Sequence, residues 1–258
     1  MADQVQRKVV NGKYRLLAKL GEGAMGTVSL AEQLDVEGRV LRQVALKTMR
    51  RELSADPAFA KRFLREVRIA TQLRSPHTVM VHDSGQGEDG QLYFIMEYIN
   101  GPTLRQVLRQ HSPLPIERVI HVASQICEAL IEAHSLPDPV VHRDLKPPNI
   151  FVEQRQGKDW VKIGDFGIAK ILSEHTMGLT QAGQSSSGTP SYMAPEQWRG
   201  AGEDGRTDLY ALGVIMYEML TGRPPFASSS VEALMHQHLT MPPPPLPATV
   251  PANLRALI

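Results

Sequence analysis

A single cysteine, Cys127, occurs in 258 residues, so no intramolecular disulfide can form and a reducing compartment is allowed. It lies in an apolar stretch, Ile126 to Ile131, that reads as helix, and a buried thiol is expected there. An excess of charge of one sign is also missing. The 28 Lys and Arg residues nearly cancel 27 Asp and Glu residues, leaving +1, which excludes the electrostatic footprint of a nucleic-acid or anionic-membrane binder. Long hydrophobic runs are absent too. The N-terminal MADQVQRKVV has no long apolar core, and the longest uncharged apolar run, Leu209 to Tyr217, is about half of what a bilayer-spanning helix needs. The expectation is a soluble, cytoplasmic domain without membrane contact of its own, any anchor lying past residue 258. There is no internal repeat. Low complexity is confined to MPPPPLPATVP at Met241 to Pro251, a stiff, polyproline-like piece read as a connector between two helices, with a ligand for a proline-recognising module as the alternative.

The length suits one large domain or two closely packed lobes. From Tyr14 to Met96 the pattern is short, β-branched and alternating, in YRLLAKL, TVSLAE, QVALKTM, TVMVHD and LYFIME, which predicts a small, mostly antiparallel sheet. One helix interrupts it, with Asp56 as N-cap, Pro57 in the first turn, and Phe59, Phe63, Val67 and Ala70 as its apolar stripe. From Thr103 onward the periodic segments are helical, at about 116–134, 207–220 and 229–239. Gly101 and Pro102 break both periodicities, so the hinge is placed at 99–102, between an N-terminal lobe, 1–98, and a C-terminal lobe, 103–258.

Gly21-Glu22-Gly23-Ala24-Met25-Gly26-Thr27-Val28 follows the first strand-like run, and its glycines let a hairpin backbone lie close to phosphate oxygens. The same spacing marks dinucleotide sites when a helix follows; here a strand follows, and a phosphate-covering hairpin is the better reading. A plain glycine-rich turn is the alternative. In Val44-Ala45-Leu46-Lys47, strand alternation puts Ala45 and Lys47 on one face, from which the ammonium can reach phosphates. Glu66 falls on the apolar side of its helix, and a buried carboxylate needs a partner. A surface pair with Arg62 and an ion pair with Lys47 are both open.

The segment VVHRDLKPPNIFV, Val140 to Val152, is a polar loop read as lying between two short apolar strands, the setting in which chemistry is usually carried. Sixteen residues after Asn149 comes Asp165, in VKIGDFG. A hard divalent cation prefers oxygen ligands, so Asp165 and the Asn149 amide could hold Mg²⁺ while ATP phosphates complete its shell.

GEGAMGTV, VALK, HRDLKPPN, DFG and APE (Ala194 to Glu196) occur in this order, and the chain resembles the eukaryotic-type protein serine/threonine kinases over about residues 14–258. Phrases such as GTPSYMAPEQ and TDLYALGVIMYEMLTGRPPF look most like the bacterial members. The resemblance implies an α+β, two-lobed kinase fold, ATP with Mg²⁺ or Mn²⁺, and protein substrates with serine or threonine acceptors, the class being indicated by Lys146 with Gly188 and Thr189. It implies that Asp144 orients the acceptor hydroxyl, that Lys146 neutralises charge on the γ-phosphoryl group, and that Asn149 and Asp165 take the metals. Lys47, held by Glu66, would meet the α- and β-phosphates. Leu20 and Gly21 to Val28 would cover the nucleotide. Met96 would guard the adenine pocket, Glu97 and Ile99 would offer backbone groups to the base, and Val28, Ala45 and Phe151 would sandwich it. Asp208 would brace the backbone of the HRD loop.

By the same resemblance Arg143 would bind a phosphorylated residue of the segment 165–196, with Thr180 the first candidate and Thr176 the second. Activation would then proceed by phosphorylation in trans, with self-association to permit it. Mere loop chemistry is the alternative reading of that Ser/Thr density. The family usually continues for one or two helices past the point where this sequence stops at NLRALI, with an arginine that pairs with the APE glutamate, so Glu196 is expected to lack that partner. Two rivals stand beside the kinase reading. One is a pseudokinase that signals by contact, opposed by the presence of Lys47, Asp144, Asn149 and Asp165. The other is a small-molecule kinase, opposed by APE and the long activation segment.

Overall fold

The computed structural model describes residues 8–23, 25–166 and 190–258. They divide into two compact units, each with its own core.

The first unit comprises residues 8–72 and Val79–Ile99. Its six-stranded sheet has the order β1-β2-β3-β4-β6-β5, every pair antiparallel, with β1 Val9–Val10, β2 Tyr14–Gly23, β3 Gly26–Leu34, β4 Val40–Met49, β5 Val81–Gln86 and β6 Leu92–Glu97. Strand alternation sorts the side chains. Tyr14, Ala31, Val44, Leu46, Tyr93 and Ile95 form one buried cluster, while Ala45 and Lys47 belong to the opposite face. A short helix, α1 Arg51–Ser54, precedes α2 Pro57–Ala70. Helix α2 starts where its residues dictate: Pro57 occupies the first turn, and the Asp56 carboxylate accepts from the Ala58 N–H at 2.8 Å. Phe59, Phe63, Glu66, Val67 and Ala70 are its buried residues, and Phe63 meets Phe94 of β6 with ring centroids 6.1 Å apart.

The second unit comprises Leu73–Thr78, 100–166 and 190–258. Its helices are α3 Leu104–His111, α4 Ile116–His134, α5 Pro195–Trp198, α6 Gly205–Thr221, α7 Val231–Thr240 and α8 Ala252–Leu257, with a hairpin of β7 Ile150–Arg155 and β8 Lys158–Ile163. Thr103 closes a capping box with Gln106 at the start of α3. Gly101 lies so close to β7 that a Cβ would sit 2.6 Å from the Val152 carbonyl oxygen. Helix α6 is buried on almost every side, and α4 packs against both it and β8. Residues 73–78 are tied down by hydrogen bonds within this unit. The Glu132 carboxylate accepts from the N–H groups of Arg74 and Ser75 at 2.6 and 2.7 Å, and Ile163 N–H donates to the His77 carbonyl at 2.8 Å.

The expected strands and long helices are present with shifted ends. Val140 and Val141 are buried but belong to no strand among the described residues. Cys127 is half-buried rather than buried, and desolvation pushes its thiol pKa up. The 241–251 stretch does join two helices, with Pro242 to Pro245 exposed. Among the described residues no helix is long and apolar enough to cross a membrane.

His238 of α7, 5% exposed, is ringed by Trp198, Tyr210 and Phe226. Burial pushes its pKa down to about 4 and that of Tyr210 up to about 12, so the Tyr210 hydroxyl keeps its proton, and the two neutral groups share a hydrogen bond of 2.7 Å at Nδ1. The folded protein holds His238 neutral while the unfolded chain binds a proton below about pH 6.5. Stability therefore falls as the pH drops below that value. Denaturant unfolding is expected to lose about 2 kcal/mol from this group between pH 7 and pH 5, and His238→Phe should flatten that part of the profile.

Candidate active site

The glycine-rich hairpin contains two kinds of glycine. A Cβ on Gly26 would lie 1.9 Å from the Thr48 carbonyl oxygen, so the approach of β3 to β4 requires glycine there. Added Cβ atoms on Gly21 and Gly23 meet nothing within 4 Å. The protein's own packing does not need those two to be bare; a ligand lying on the backbone would. Around them, Leu20 is 47% exposed, Glu22 pairs with Lys19 in solvent, and Met25 is buried. Ala24 lies outside the described residues.

Register then places the next groups. Val28 is directly opposite Lys47, Lys47 opposite Phe94, and Ala45 opposite both Leu30 and Met96. Directly paired residues share a face, so Val28, Ala45, Lys47 and Met96 line one side of the sheet. Lys47 is 7% exposed, its Nζ 5.7 Å from the Phe94 ring centroid. Glu66, 9% exposed, follows Phe63 by one turn of α2, and Phe63 touches the same Phe94 ring. Lys47 does not stand without a partner, and Glu66 is the carboxylate the sequence offers it. Burial of both leaves the pairing a proposal.

In the second unit the polar loop is built around Asp208, which is fully buried on α6. Its carboxylate accepts from the N–H groups of His142 and Arg143 at 2.8 and 2.9 Å, and its Oδ2 lies 2.8 Å from His134 Nε2. His142 is also fully buried. Its Nδ1 accepts from the Asp144 N–H at 3.2 Å, which leaves the proton on Nε2 to be donated to the Gly164 carbonyl at 2.8 Å. One imidazole thus joins the loop that carries Asp144 to the residue before Asp165. The Phe166 ring stands edge-on against it, centroids 4.7 Å apart. Arg143 and Asp165 both adopt left-handed backbone, φ +65° and +60°, which costs each on the order of 1 kcal/mol; the bond to Asp208 holds the first.

Asp144 and Lys146 form an ion pair of 2.8 Å. The Asn149 Nδ2 donates to the Asp144 carbonyl at 2.8 Å and approaches its carboxylate at 3.2 Å, so the amide oxygen is left as the side chain's ligand atom. Gly164 N–H donates to the Asn149 carbonyl at 2.8 Å, and a Cβ on Gly164 would press on Phe151 at 3.0 Å. Asp144, Lys146, Asn149 and the approach to Asp165 are thereby assembled in one place. An amide oxygen and a carboxylate suit a hard divalent cation. No group of three or more His, Cys, Asp or Glu among the described residues could hold one by itself, so phosphate oxygens fit as the remaining ligands.

No arginine pairs with Glu196 among the described residues, but its carboxylate does find a hydroxyl. Glu196 is half-buried, and Thr207 Oγ1 donates to it at 2.6 Å. The sequence reading also passed over several residues that build the site: His134, His142, Gln197 and Glu203; a separate group joins half-buried Arg105 to buried Tyr192 and Glu218. In that group Arg105 and Tyr192 reach Glu218 at 2.7 and 2.6 Å. The candidate phosphosites Thr176 and Thr180, with Gly167, Gly188 and Thr189, lie outside the described residues.

The protein kinase domain family matches residues 14–253. The chain is 46% identical over 246 residues to the serine/threonine-protein kinase pkn3 of Myxococcus xanthus, covering 94% of this chain and 44% of that protein. It is 39% identical over 239 residues to the serine/threonine-protein kinase PknB of Mycobacterium tuberculosis H37Rv, covering 92% and 37%. The chain thus spans less than half the length of these curated bacterial relatives. Among solved structures, the Mycobacterium tuberculosis PknI kinase domain superposes with a TM-score of 0.66 at 29% identity, covering 94% of this chain and 93% of that one.

Two substitutions test this architecture. Asp208→Asn turns one acceptor oxygen into a donor facing another donor, and should cost about 2–4 kcal/mol in denaturant unfolding. Gly26→Ala should lower the melting temperature by several degrees, whereas Gly21→Ala should leave it nearly unchanged because no atom of the first unit opposes the added methyl.

Proposed function

The chain belongs to the protein kinase domain family, with serine/threonine kinases as its curated relatives, and from that premise we propose that the protein transfers the γ-phosphoryl group of ATP to serine and threonine hydroxyls of other proteins. A domain of this family uses ATP and a divalent metal; we take Mg²⁺ as the resident ion, with Mn²⁺ able to replace it. The observation that carries the reading is the assembly of Asp144, Lys146 and Asn149 on a loop fixed by Asp208, with His142 linking it to Gly164 and so to Asp165. Two left-handed residues held beside these charged groups support a reaction that needs the groups kept in register.

The Asp144 carboxylate orients the acceptor hydroxyl and takes its proton as the hydroxyl oxygen bonds to the γ-phosphorus, while the bridging oxygen leaves with ADP. Lys146, paired with Asp144, neutralises charge on the transferred group. Asn149 and Asp165 would hold the metal, which would offset phosphate charge when bound. In the first unit, Gly21 and Gly23 admit the phosphates, Lys47, aligned by Glu66, meets them, and Val28, Ala45, Met96, Glu97 and Ile99 receive the base together with Phe151. The division into lobes at 1–98, 99–102 and 103–258 follows the same proposal. So do autophosphorylation at Thr180 or Thr176, read out through Arg143, self-association to allow it in trans, and a cytoplasmic location for this domain.

Asp144→Asn should reduce phosphate transfer to a generic basic protein by on the order of 10²–10³-fold, with ATP binding within about threefold of wild type. Chelation should abolish transfer, and added Mg²⁺ should restore it. ATP binding by wild type without any transfer would favour the pseudokinase alternative. Mass spectrometry of the active protein should find phosphate on the 165–196 segment.

A further inference from the structure

Arg143 immediately precedes Asp144 and is gripped at three points. Its N–H donates to Asp208, its carbonyl accepts from Gln197 Nε2 at 2.9 Å, and its Nε lies 2.8 Å from Glu203 Oε2. Gln197 is itself fixed, since its Oε1 accepts from the Ala194 N–H at 2.9 Å. The Arg143 and Glu203 side chains are 19% and 18% exposed, so the ion pair is largely withdrawn from solvent and little screened by salt. Burial, with Asp208 and Glu196 nearby, pushes the Glu203 pKa up, and the Arg143 guanidinium is the cation that opposes that rise. Without that carboxylate the guanidinium would lose this restraint, and the left-handed turn at φ +65° would rest on the bonds from Asp208 and Gln197 to its backbone.

We propose that Glu203 is a positioning residue for phosphoryl transfer, its carboxylate fixing the Arg143 side chain and, through the backbone, the aim of Asp144. The proposal rests on the kinase reading above and deepens it. It assigns to the chain's own glutamate the anchoring of an arginine that the family resemblance gave to a phosphorylated residue alone.

The test uses Glu203→Gln, which keeps size and removes charge, with Glu203→Asp as the charge-retaining variant and Glu203→Ala as the one that opens space for an added carboxylate. In Glu203→Gln, kcat should fall on the order of tenfold with KM for ATP within about twofold, since aim and not binding is lost. Glu203→Asp should recover part of that loss, and sodium acetate should raise kcat of Glu203→Ala but not of wild type. Independently of activity, the ¹⁵Nε resonance of Arg143 should be sharp and slow to exchange with water in wild type, and collapse toward solvent-exposed arginines in Glu203→Gln. A folded Glu203→Gln protein with wild-type kcat, or with an unchanged Arg143 resonance, would overturn the proposal while leaving the kinase reading intact. Absence of transfer by wild type would remove both.

Discussion

The carboxylate of Asp208 is the constraint on which the second unit's chemistry depends. A charge with no solvent exposure is tolerable only if its lone pairs are filled, and here two consecutive backbone N–H groups and an imidazole fill them. Those same bonds fix the loop whose next residue is Asp144. Stability and catalytic geometry are therefore two results of one set of contacts. The helix that carries Asp208 is buried nearly all round, which makes it a rigid base on which to mount strained backbone.

Much of this was legible along the chain. Alternation placed the five longer strands of the first unit, and Asp56 with Pro57 announced the start of α2 because capping is a local bond between near neighbours. The glycine-rich hairpin, Lys47, and the loop from Asp144 to Asn149 could be singled out because their residue types are dense and close in sequence. The capping box at Thr103 and Gln106 was also local, but the Gly-Pro break before it drew attention to a hinge instead. What stayed hidden was long-range. Gln197 and Glu203 meet Arg143 from more than fifty positions away, and no spacing rule reports such a meeting. Val140 and Val141 look like a strand because burial selects the same residues whether or not a ladder forms. Glu196 seemed partnerless because the usual arginine was sought, while Thr207, eleven residues on, supplies a hydroxyl.

The two units solve different problems. The first presents backbone that must be approached closely and one buried ammonium, so it relies on glycine and on strand register. The second presents several mutually repelling or attracting charges at fixed separations, so it relies on hydrogen bonds converging from helices distant in sequence. His142 shows the economy of the second solution: both ring nitrogens are committed, and a single tautomer joins the loop before Asp144 to the carbonyl before Asp165.

The exposed prolines at 242–245 carry a consequence for digestion. Endoproteases seize their substrates as extended strands through main-chain hydrogen bonds, and each proline lacks the N–H such an enzyme grips. The junction between α7 and α8, among the barest stretches of backbone, should for that reason resist nicking better than the ordinary turns around it.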